Sequence, residues 1–204
     1  MENTKIKALL IDLGNVLVIN HPEWAARKFS RINKLSLAKD LAIMGDDNDF
    51  MKGFISSAEF AEKYRYSMDL NITEAEFHAI YVDIFTLNEP LVGFLEQLKE
   101  KMIMVMVSNT EITTVDFLKN KFPRIFSLFN GRLALSYLGE VRSIKPERGI
   151  YDYALKLAGV LPQDVLMIDD KPGYVDVARK LGMRAIQYTT LEQLKRDFES
   201  LNIF

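Results

Sequence analysis

The chain of 204 residues carries 26 Lys and Arg residues against 28 Asp and Glu residues. The resulting net charge of -2 gives no general electrostatic reason to expect nucleic acid or an anionic membrane as a partner. Nearly half of the residues (49%) are hydrophobic, which is typical of a globular protein with a sizeable core. The absence of cysteine excludes a disulfide framework, a thiolate zinc site and a cysteine nucleophile.

The amino-terminal segment leads directly into a strand-like run and has no signal-peptide layout. No apolar stretch approaches the roughly 20 residues that are needed to span a bilayer. We therefore expect a cytoplasmic protein, a monomer or a weak homodimer, that binds neither membrane nor nucleic acid.

Four short apolar runs are predicted to be buried parallel strands: residues 8–11, 102–107, 165–168 and 184–188. The first run ends at Asp12, the second at Ser108 and the third at Asp169. Ligands of parallel sheets bind at the carboxyl ends of the strands, so these polar residues are candidates for a functional site.

Helical patterns alternate with these strands and cover residues 91–101, 150–158 and 175–181. Gly182 is predicted to end the last of these helices. Alternation of strands and helices predicts an α/β fold, a doubly wound parallel sheet with helices on both faces.

The alternation is interrupted between residues 20 and 87, where helical patterns occupy residues 23–32, 35–43, 57–68 and 73–85 and no strand is predicted. Thr73 and Glu76 have the spacing of a capping box at the start of the last helix. We expect residues 20–87 to form an inserted all-α cap domain, with residues 1–19 and 88–204 forming the core.

Four separate segments carry polar residues that suit one kind of site: Asp12-Leu-Gly-Asn-Val-Leu17, Ser108-Asn-Thr110, Lys145-Pro146 and Asp169-Asp170. In this order, with a helical insertion after the first, they resemble the haloacid dehalogenase superfamily. The first segment is similar to that of a branch that contains sugar-phosphate phosphatases. The resemblance covers nearly the whole chain, and it implies a Rossmann-like core, a helical cap and hydrolysis of a small phosphate ester.

The resemblance assigns the attack on phosphorus to Asp12, through an aspartyl-phosphate intermediate. It implies a Mg²⁺ ion bound by Asp12, the carbonyl of Gly14 and Asp170, with Asp169 as a further or indirect ligand. A phosphate monoester is a dianion, so a carboxylate can attack it only when a cation offsets the negative charges.

The phosphate itself would be held by Ser108 and by the backbone N–H of Asn109. Lys145 would neutralise the charge that develops on the phosphoryl oxygens. Lys145 is also the natural counter-ion for three carboxylates crowded at one point.

One position departs from the pattern of most phosphatases in this superfamily. They carry a second aspartate two residues after the nucleophile, where this chain has Gly14. That aspartate protonates the leaving group, and the loss of such a group typically reduces the rate about 10²–10⁴-fold. Leaving groups that need little protonation, such as the anomeric oxygen of a sugar 1-phosphate, suffer least. His21 is a candidate replacement, although a loop residue without a catalytic role is the preferred interpretation.

Two smaller departures are Tyr174, where relatives usually have Asn, and Arg142, where a glycine is common. Residues of the insertion should select the substrate, and the candidates near its start are Glu23, Trp24 and Arg27.

Two alternatives from other classes of protein stay open on the sequence. A carbon–halogen hydrolase would use the same aspartate without a metal, but it would leave Asp169 and Asp170 without a cation. A non-catalytic binding or regulatory protein would be consistent with Gly14, Tyr174 and Arg142, but not with the retained Ser108 and Lys145. A phosphomutase is disfavoured because it needs the acid/base that Gly14 removes.

Overall fold

The computed structural model describes residues 5–33 and 47–203. The helix that the sequence predicts at residues 35–43 lies outside these described residues.

A five-stranded parallel sheet forms the centre of the molecule. Its strands are β1 (Ala8–Ile11), β4 (Ile103–Ser108), β5 (Leu133–Leu135), β6 (Val165–Asp169) and β7 (Arg184–Gln187). Their order in the sheet is β5-β4-β1-β6-β7, and neighbouring strands pair in parallel throughout. The predicted α/β fold with a parallel sheet is therefore confirmed.

Helices cover both faces of this sheet. Successive side chains of a strand point to opposite faces, and the buried strands present apolar side chains on both. In β1, Leu9 and Ile11 belong to one hydrophobic cluster, whereas Ala8 and Leu10 belong to the other. The helices of the core are α5 (Glu89–Glu96), α6 (Ile112–Lys121), α7 (Pro123–Ser127), α8 (Arg148–Ala158), α9 (Pro172–Lys180) and α10 (Leu191–Ser200).

The helical insertion between β1 and β4 has a hydrophobic cluster of its own, centred on Phe29, Phe60 and Phe77. Its described helices are α1 (Pro22–Asn33), α2 (Asn48–Met51), α3 (Ser57–Ser67) and α4 (Glu74–Val82). The predicted capping box is present at the start of α4, where the Thr73 hydroxyl accepts from the Glu76 N–H and the Glu76 carboxylate accepts from the Thr73 N–H.

Three short strands were not predicted. An antiparallel ribbon of β2 (Val18–Asn20) and β3 (Phe85–Leu87) lies at the base of the insertion, and β5 lies at one edge of the main sheet. Each has only three residues, too few for an alternating pattern to stand out. Because β3 starts at Phe85, the helix that was predicted for residues 73–85 ends earlier, at Val82.

The end of α9 is as predicted: Gly182 follows it with φ +87°, a conformation that favours glycine. Over residues 5–33 and 47–203, no helix combines the length and the apolar character that a bilayer crossing requires.

Candidate active site

Asp12 and Asp169 are neighbours because β1 and β6 pair in register. Ile11 is paired with Ile168, and the Asp12 N–H donates to the Ile168 carbonyl at 3.0 Å. The next residue of each strand is therefore an aspartate at the same edge of the sheet. Both side chains are buried, with Asp12 6% exposed and Asp169 fully covered.

The Lys145 ammonium lies between these two carboxylates. Its Nζ is 2.8 Å from Asp12 Oδ1 and 2.6 Å from Asp169 Oδ2, and the lysine is only 1% exposed. The other oxygen of Asp169 accepts from the Lys171 N–H at 2.9 Å. Both carboxylates bind Lys145, but only Asp12 lines the cavity that is described below.

Burial and, to a smaller extent, the neighbouring Asp169 raise the pKa of Asp12 to about 7, although Lys145 opposes both effects. Burial by itself would lower the pKa of Lys145, but the two carboxylates beside it raise that pKa above its usual range. One ammonium therefore does not compensate the carboxylates around it, and a further positive charge would stabilise the ionised form of Asp12.

Asp170 faces the same point from the end of β6. One of its oxygens, Oδ2, accepts from Asn15 Nδ2 at 3.4 Å, whereas Oδ1 is buried and has no hydrogen-bond partner among the described residues. Oxygens of Asp12, Asp169 and Asp170 lie within 4.8 Å of one another. An all-oxygen cluster with one unsatisfied buried atom fits a hard divalent cation.

Asn109 positions Lys145 in a way that was not predicted. Its side-chain Oδ1 accepts from the Lys145 N–H at 2.6 Å, and its Nδ2 donates to the Lys145 carbonyl at 2.9 Å. Arg142, three residues before Lys145, has φ +37°, a left-handed conformation that favours glycine and is strained for arginine.

A cavity of about 300 Å³ opens in front of this cluster. The predicted residues that line it are Asp12, Gly14, Ser108, Asn109, Lys145 and Asp170; Asp169 does not. The insertion contributes Asn48, Met51 and Tyr81 to the lining of the cavity. The cavity therefore joins the carboxylates at the sheet edge to side chains of the insertion.

The candidates that were chosen at the start of the insertion do not line this cavity. Glu23, Trp24 and Arg27 are absent from its described lining residues, as is His21. His21 Nε2 lies 3.0 Å from Thr86 Oγ1, and its ring stacks on Trp24 at 4.2 Å between ring centroids. These contacts support the interpretation of His21 as a residue without a catalytic role.

Ser136 was missed by sequence reasoning, because it follows the short strand β5. It is fully buried, and its Oγ accepts from the Thr110 N–H at 3.0 Å. The same Oγ lies 2.6 Å from the Met51 carbonyl of the insertion and 2.9 Å from the Thr110 carbonyl, and it can donate to one of them at a time. Ser136 therefore connects the Ser108–Thr110 loop to the insertion.

Tyr174 also lines the cavity, and its ring lies close to two cations. The Lys145 and Lys171 ammonium groups are 5.1 Å and 5.2 Å from its ring centroid, and its hydroxyl is 3.4 Å from Asn109 Nδ2. The sequence departure at this position thus adds an aromatic contact to Lys145.

Residues 6–182 match the family of haloacid dehalogenase-like hydrolases. A haloacid dehalogenase family enzyme from Bacteroides thetaiotaomicron, solved with magnesium and inorganic phosphate, is 27% identical with a TM-score of 0.80, over 93% of this chain and 98% of that one. A predicted hydrolase of the same type from Porphyromonas gingivalis is 21% identical with a TM-score of 0.79, over 95% and 98% of the two chains.

Drimenol cyclase from Aspergillus calidoustus is 25% identical over 96% of this chain, which spans only 36% of that protein. The parallel sheet, the carboxylates at its edge and the helical insertion agree with the match to this family, which identifies the chain as a hydrolase. The chain belongs to the haloacid dehalogenase-like hydrolases.

Proposed function

We propose that this chain is a magnesium-dependent phosphomonoester hydrolase that forms an aspartyl-phosphate on Asp12. The observation that carries the proposal is the setting of the Asp12 carboxylate. It lies 2.8 Å from the Lys145 ammonium, within the oxygen cluster, and lines a cavity of about 300 Å³. A carboxylate in such a setting can approach a phosphate dianion, because Lys145 offsets negative charge on one side and a metal ion held by the cluster would offset it on the other.

Magnesium suits the cluster because it prefers oxygen ligands in a compact arrangement. Asp12, Asp170 and the Gly14 carbonyl are the expected ligands, and Asp169 acts through Lys145 or as a further ligand. Bound there, magnesium neutralises charge and polarises a phosphoryl oxygen. The magnesium and phosphate that were found together in the Bacteroides enzyme support this assignment.

The reaction proceeds in two displacements at phosphorus. An oxygen of Asp12 attacks, the bond from phosphorus to the leaving oxygen breaks, and the leaving oxygen departs with the electron pair. Water then attacks the aspartyl-phosphate, which releases inorganic phosphate and restores the carboxylate. The proton that the water loses balances the proton that the leaving oxygen gains.

Ser108 and the backbone N–H of Asn109 hold the phosphoryl oxygens during both displacements, and Lys145 balances the charge that develops on them. The hydrogen bonds from Asn109 to the Lys145 backbone keep the loop and the lysine in one arrangement. This fixed arrangement supports catalysis, because donors that are already oriented need no rearrangement when charge develops.

Residues 20–87 serve as a cap domain over a core of residues 1–19 and 88–204. Their separate hydrophobic cluster supports this division. Polar contacts join cap and core, among them the Lys52–Glu147 ion pair at 2.6 Å, the Lys121–Asp83 ion pair at 3.0 Å and the hydrogen bond from Ser136 to the Met51 carbonyl. Asn48, Met51 and Tyr81 face the part of the substrate that is not phosphate.

A sugar phosphate is the favoured substrate. The form of the first motif, Asp12 to Leu17, supports this choice, and so does Gly14, which removes the acid that a poor leaving group would need. The polar and aromatic groups of Asn48 and Tyr81 suit the hydroxyl groups and ring faces of a sugar.

The test is phosphate release from a panel of phosphorylated metabolites, with Mg²⁺ or with a chelator, by wild type, Asp12→Asn and Asp176→Asn. Asp176 is an exposed aspartate on α9 and serves as the matched control. We expect turnover that requires Mg²⁺ in wild type and Asp176→Asn, and loss of at least about 10³-fold in Asp12→Asn.

Halide release without metal would instead identify a carbon–halogen hydrolase. Equal background rates in wild type and Asp12→Asn, with or without Mg²⁺, would identify a non-catalytic phosphate-binding protein. Either result would contradict the proposal.

A further inference from the structure

The space beside Gly14 is occupied by the side chain of Asn20. A Cβ added to Gly14 would lie 3.1 Å from Asn20 Nδ2 and 3.6 Å from Asn20 Oδ1. Asn20 is the last residue of β2, where it is paired with Phe85 of β3. A carboxamide from a different segment therefore fills the place into which a side chain at position 14 would extend.

The backbone of Asn20 is anchored, but its side chain is not satisfied. Its N–H donates to Asn15 Oδ1 at 3.2 Å, and Asn15 Nδ2 lies 3.4 Å from Asp170 Oδ2. The buried Oδ1 of Asn20 has no hydrogen-bond partner within the described part of the chain, and Asn20 lines the cavity. A buried polar atom without a partner is unfavourable, so this oxygen is suited to receive a hydrogen bond from a bound molecule.

Among the residues that the structure describes, the cavity wall offers no carboxylic acid or imidazole outside the oxygen cluster. Of its described lining residues, only Asp12 and Asp170 carry carboxylates, and none is a histidine or a glutamate. A carboxamide both donates and accepts hydrogen bonds, but unlike a carboxylic acid or an imidazole it has no proton to transfer near neutral pH. The group beside Gly14 can therefore hold a leaving group but cannot protonate it.

We propose that Asn20 contacts the leaving group of the substrate and orients it by hydrogen bonds without giving it a proton. This inference rests on the proposed phosphatase function. When the bond from phosphorus breaks, the leaving oxygen keeps both electrons, departs as an anion and takes its proton from solvent. Efficient substrates are then phosphates whose leaving oxygen is a weak base, such as anomeric, enol or acyl oxygens, whereas simple alkyl esters are cleaved slowly.

The test measures kcat/KM for aryl phosphates that differ in the pKa of the phenol, and for one alkyl phosphate, with Mg²⁺ present. The quantity kcat/KM is chosen because it includes the step in which the leaving group departs. For wild type, log kcat/KM should fall steeply as the pKa of the leaving group rises. This arm of the test does not depend on the folding of any variant.

Two variants of Asn20 extend the test. Asn20→Ala should lower kcat/KM about tenfold for a sugar 1-phosphate, the loss expected for one hydrogen bond, and Asn120→Ala, at an exposed asparagine of α6, should not. Gly14→Asp alone should gain nothing, because Asn20 occupies the space. Gly14→Asp combined with Asn20→Ala should flatten the dependence on leaving-group pKa and raise the rate for the alkyl ester at least about 10²-fold.

A wild-type kcat/KM that is independent of leaving-group pKa would overturn the inference, as would an Asn20→Ala variant equal to wild type. A steeper dependence in Tyr174→Phe than in wild type would assign a proton donor to Tyr174 and would also overturn it. In each case phosphate is released and the phosphatase proposal stands. If no ester in the series releases phosphate, the proposed function fails and the inference falls with it.

Discussion

The side chain of Asn109 forms hydrogen bonds with both the backbone N–H and the backbone carbonyl of Lys145. Oδ1 accepts from the Lys145 N–H at 2.6 Å, and Nδ2 donates to the Lys145 carbonyl at 2.9 Å. Two residues that are 36 positions apart in the chain are thereby fixed relative to each other. The ammonium of Lys145 lies 2.8 Å from Asp12 Oδ1 in this arrangement.

Asn109→Ala removes both of these hydrogen bonds and leaves two backbone groups of Lys145 without their partners. We expect the free energy of unfolding to fall by about 2 kcal/mol. We also expect kcat to fall by more than KM rises, since the ammonium that balances developing charge is no longer held in place. Urea denaturation and steady-state kinetics measure the two effects. Asn120→Ala is the matched control, and an equally small effect of both variants would contradict the role of Asn109.

Asp170→Asn removes the carboxylate whose Oδ1 has no partner among the described residues. Magnesium at about 100 times its dissociation constant stabilises a folded protein by about 2.7 kcal/mol, so it should raise the melting temperature of wild type by several degrees. The increase should be absent in Asp170→Asn and retained in Asp176→Asn. Thermal denaturation with and without Mg²⁺ checks this without reference to activity. An undiminished increase in Asp170→Asn would place the metal elsewhere.

Gly53 and Gly131 are a matched pair of glycines, since both have positive φ, +68° and +79°. A Cβ on Gly53 would lie 2.7 Å from the Tyr137 carbonyl oxygen, whereas a Cβ on Gly131 would have nothing within 4 Å. Gly131→Ala should therefore lower the free energy of unfolding by about 1 kcal/mol through backbone strain alone. Gly53→Ala should lower it by roughly 1–3 kcal/mol more, because the insertion must move away from the core.

Urea denaturation of both alanine variants measures this difference. Gly53→Ala should also raise KM, since Met51 of the same segment lines the cavity, and Gly131→Ala should leave KM unchanged. Equal destabilisation by the two substitutions would mean that the contact with Tyr137 does not constrain the insertion.

His78, in α4, is expected to make the protein less stable in acid. Burial lowers the pKa of His78 below its usual 6.5, and Glu74 only partly opposes this effect. The unfolded chain therefore binds a proton more readily, so this contribution to the free energy of unfolding is lost as the pH falls through 6.5 towards the lowered pKa of the folded state.

The measurement is the free energy of unfolding of wild type and His78→Gln at about pH 8 and about pH 5. The decrease from the higher to the lower pH should be smaller in His78→Gln. An identical decrease in the two proteins would show that His78 titrates alike in the folded and unfolded states.

The sheet and the position of the candidate site at its edge could be predicted because buried parallel strands leave a strong pattern, an apolar run that ends at a polar residue. Asp12, Ser108 and Asp169 each follow or close such a run. Lys145 could not be located in this way, since it lies in a loop, and only the order of the four motifs indicated it.

Other features depend on contacts between segments that are distant in sequence. The placement of Asn20 beside Gly14 depends on the ribbon of β2 and β3, whose three-residue strands leave no periodic pattern. The helix faces that line the cavity depend on how the insertion packs on the core, and this is why Tyr81 lines it and Trp24 does not.

The most direct test of the central claim is to trap the covalent intermediate on Asp12. Wild type would be mixed with substrate and Mg²⁺, quenched in acid and digested, and its peptides examined by mass spectrometry. The account predicts one added phosphoryl group on the peptide that contains Asp12, and none in Asp12→Asn. Phosphate release by wild type with no phosphorylated Asp12, or undiminished release by Asp12→Asn, would contradict it.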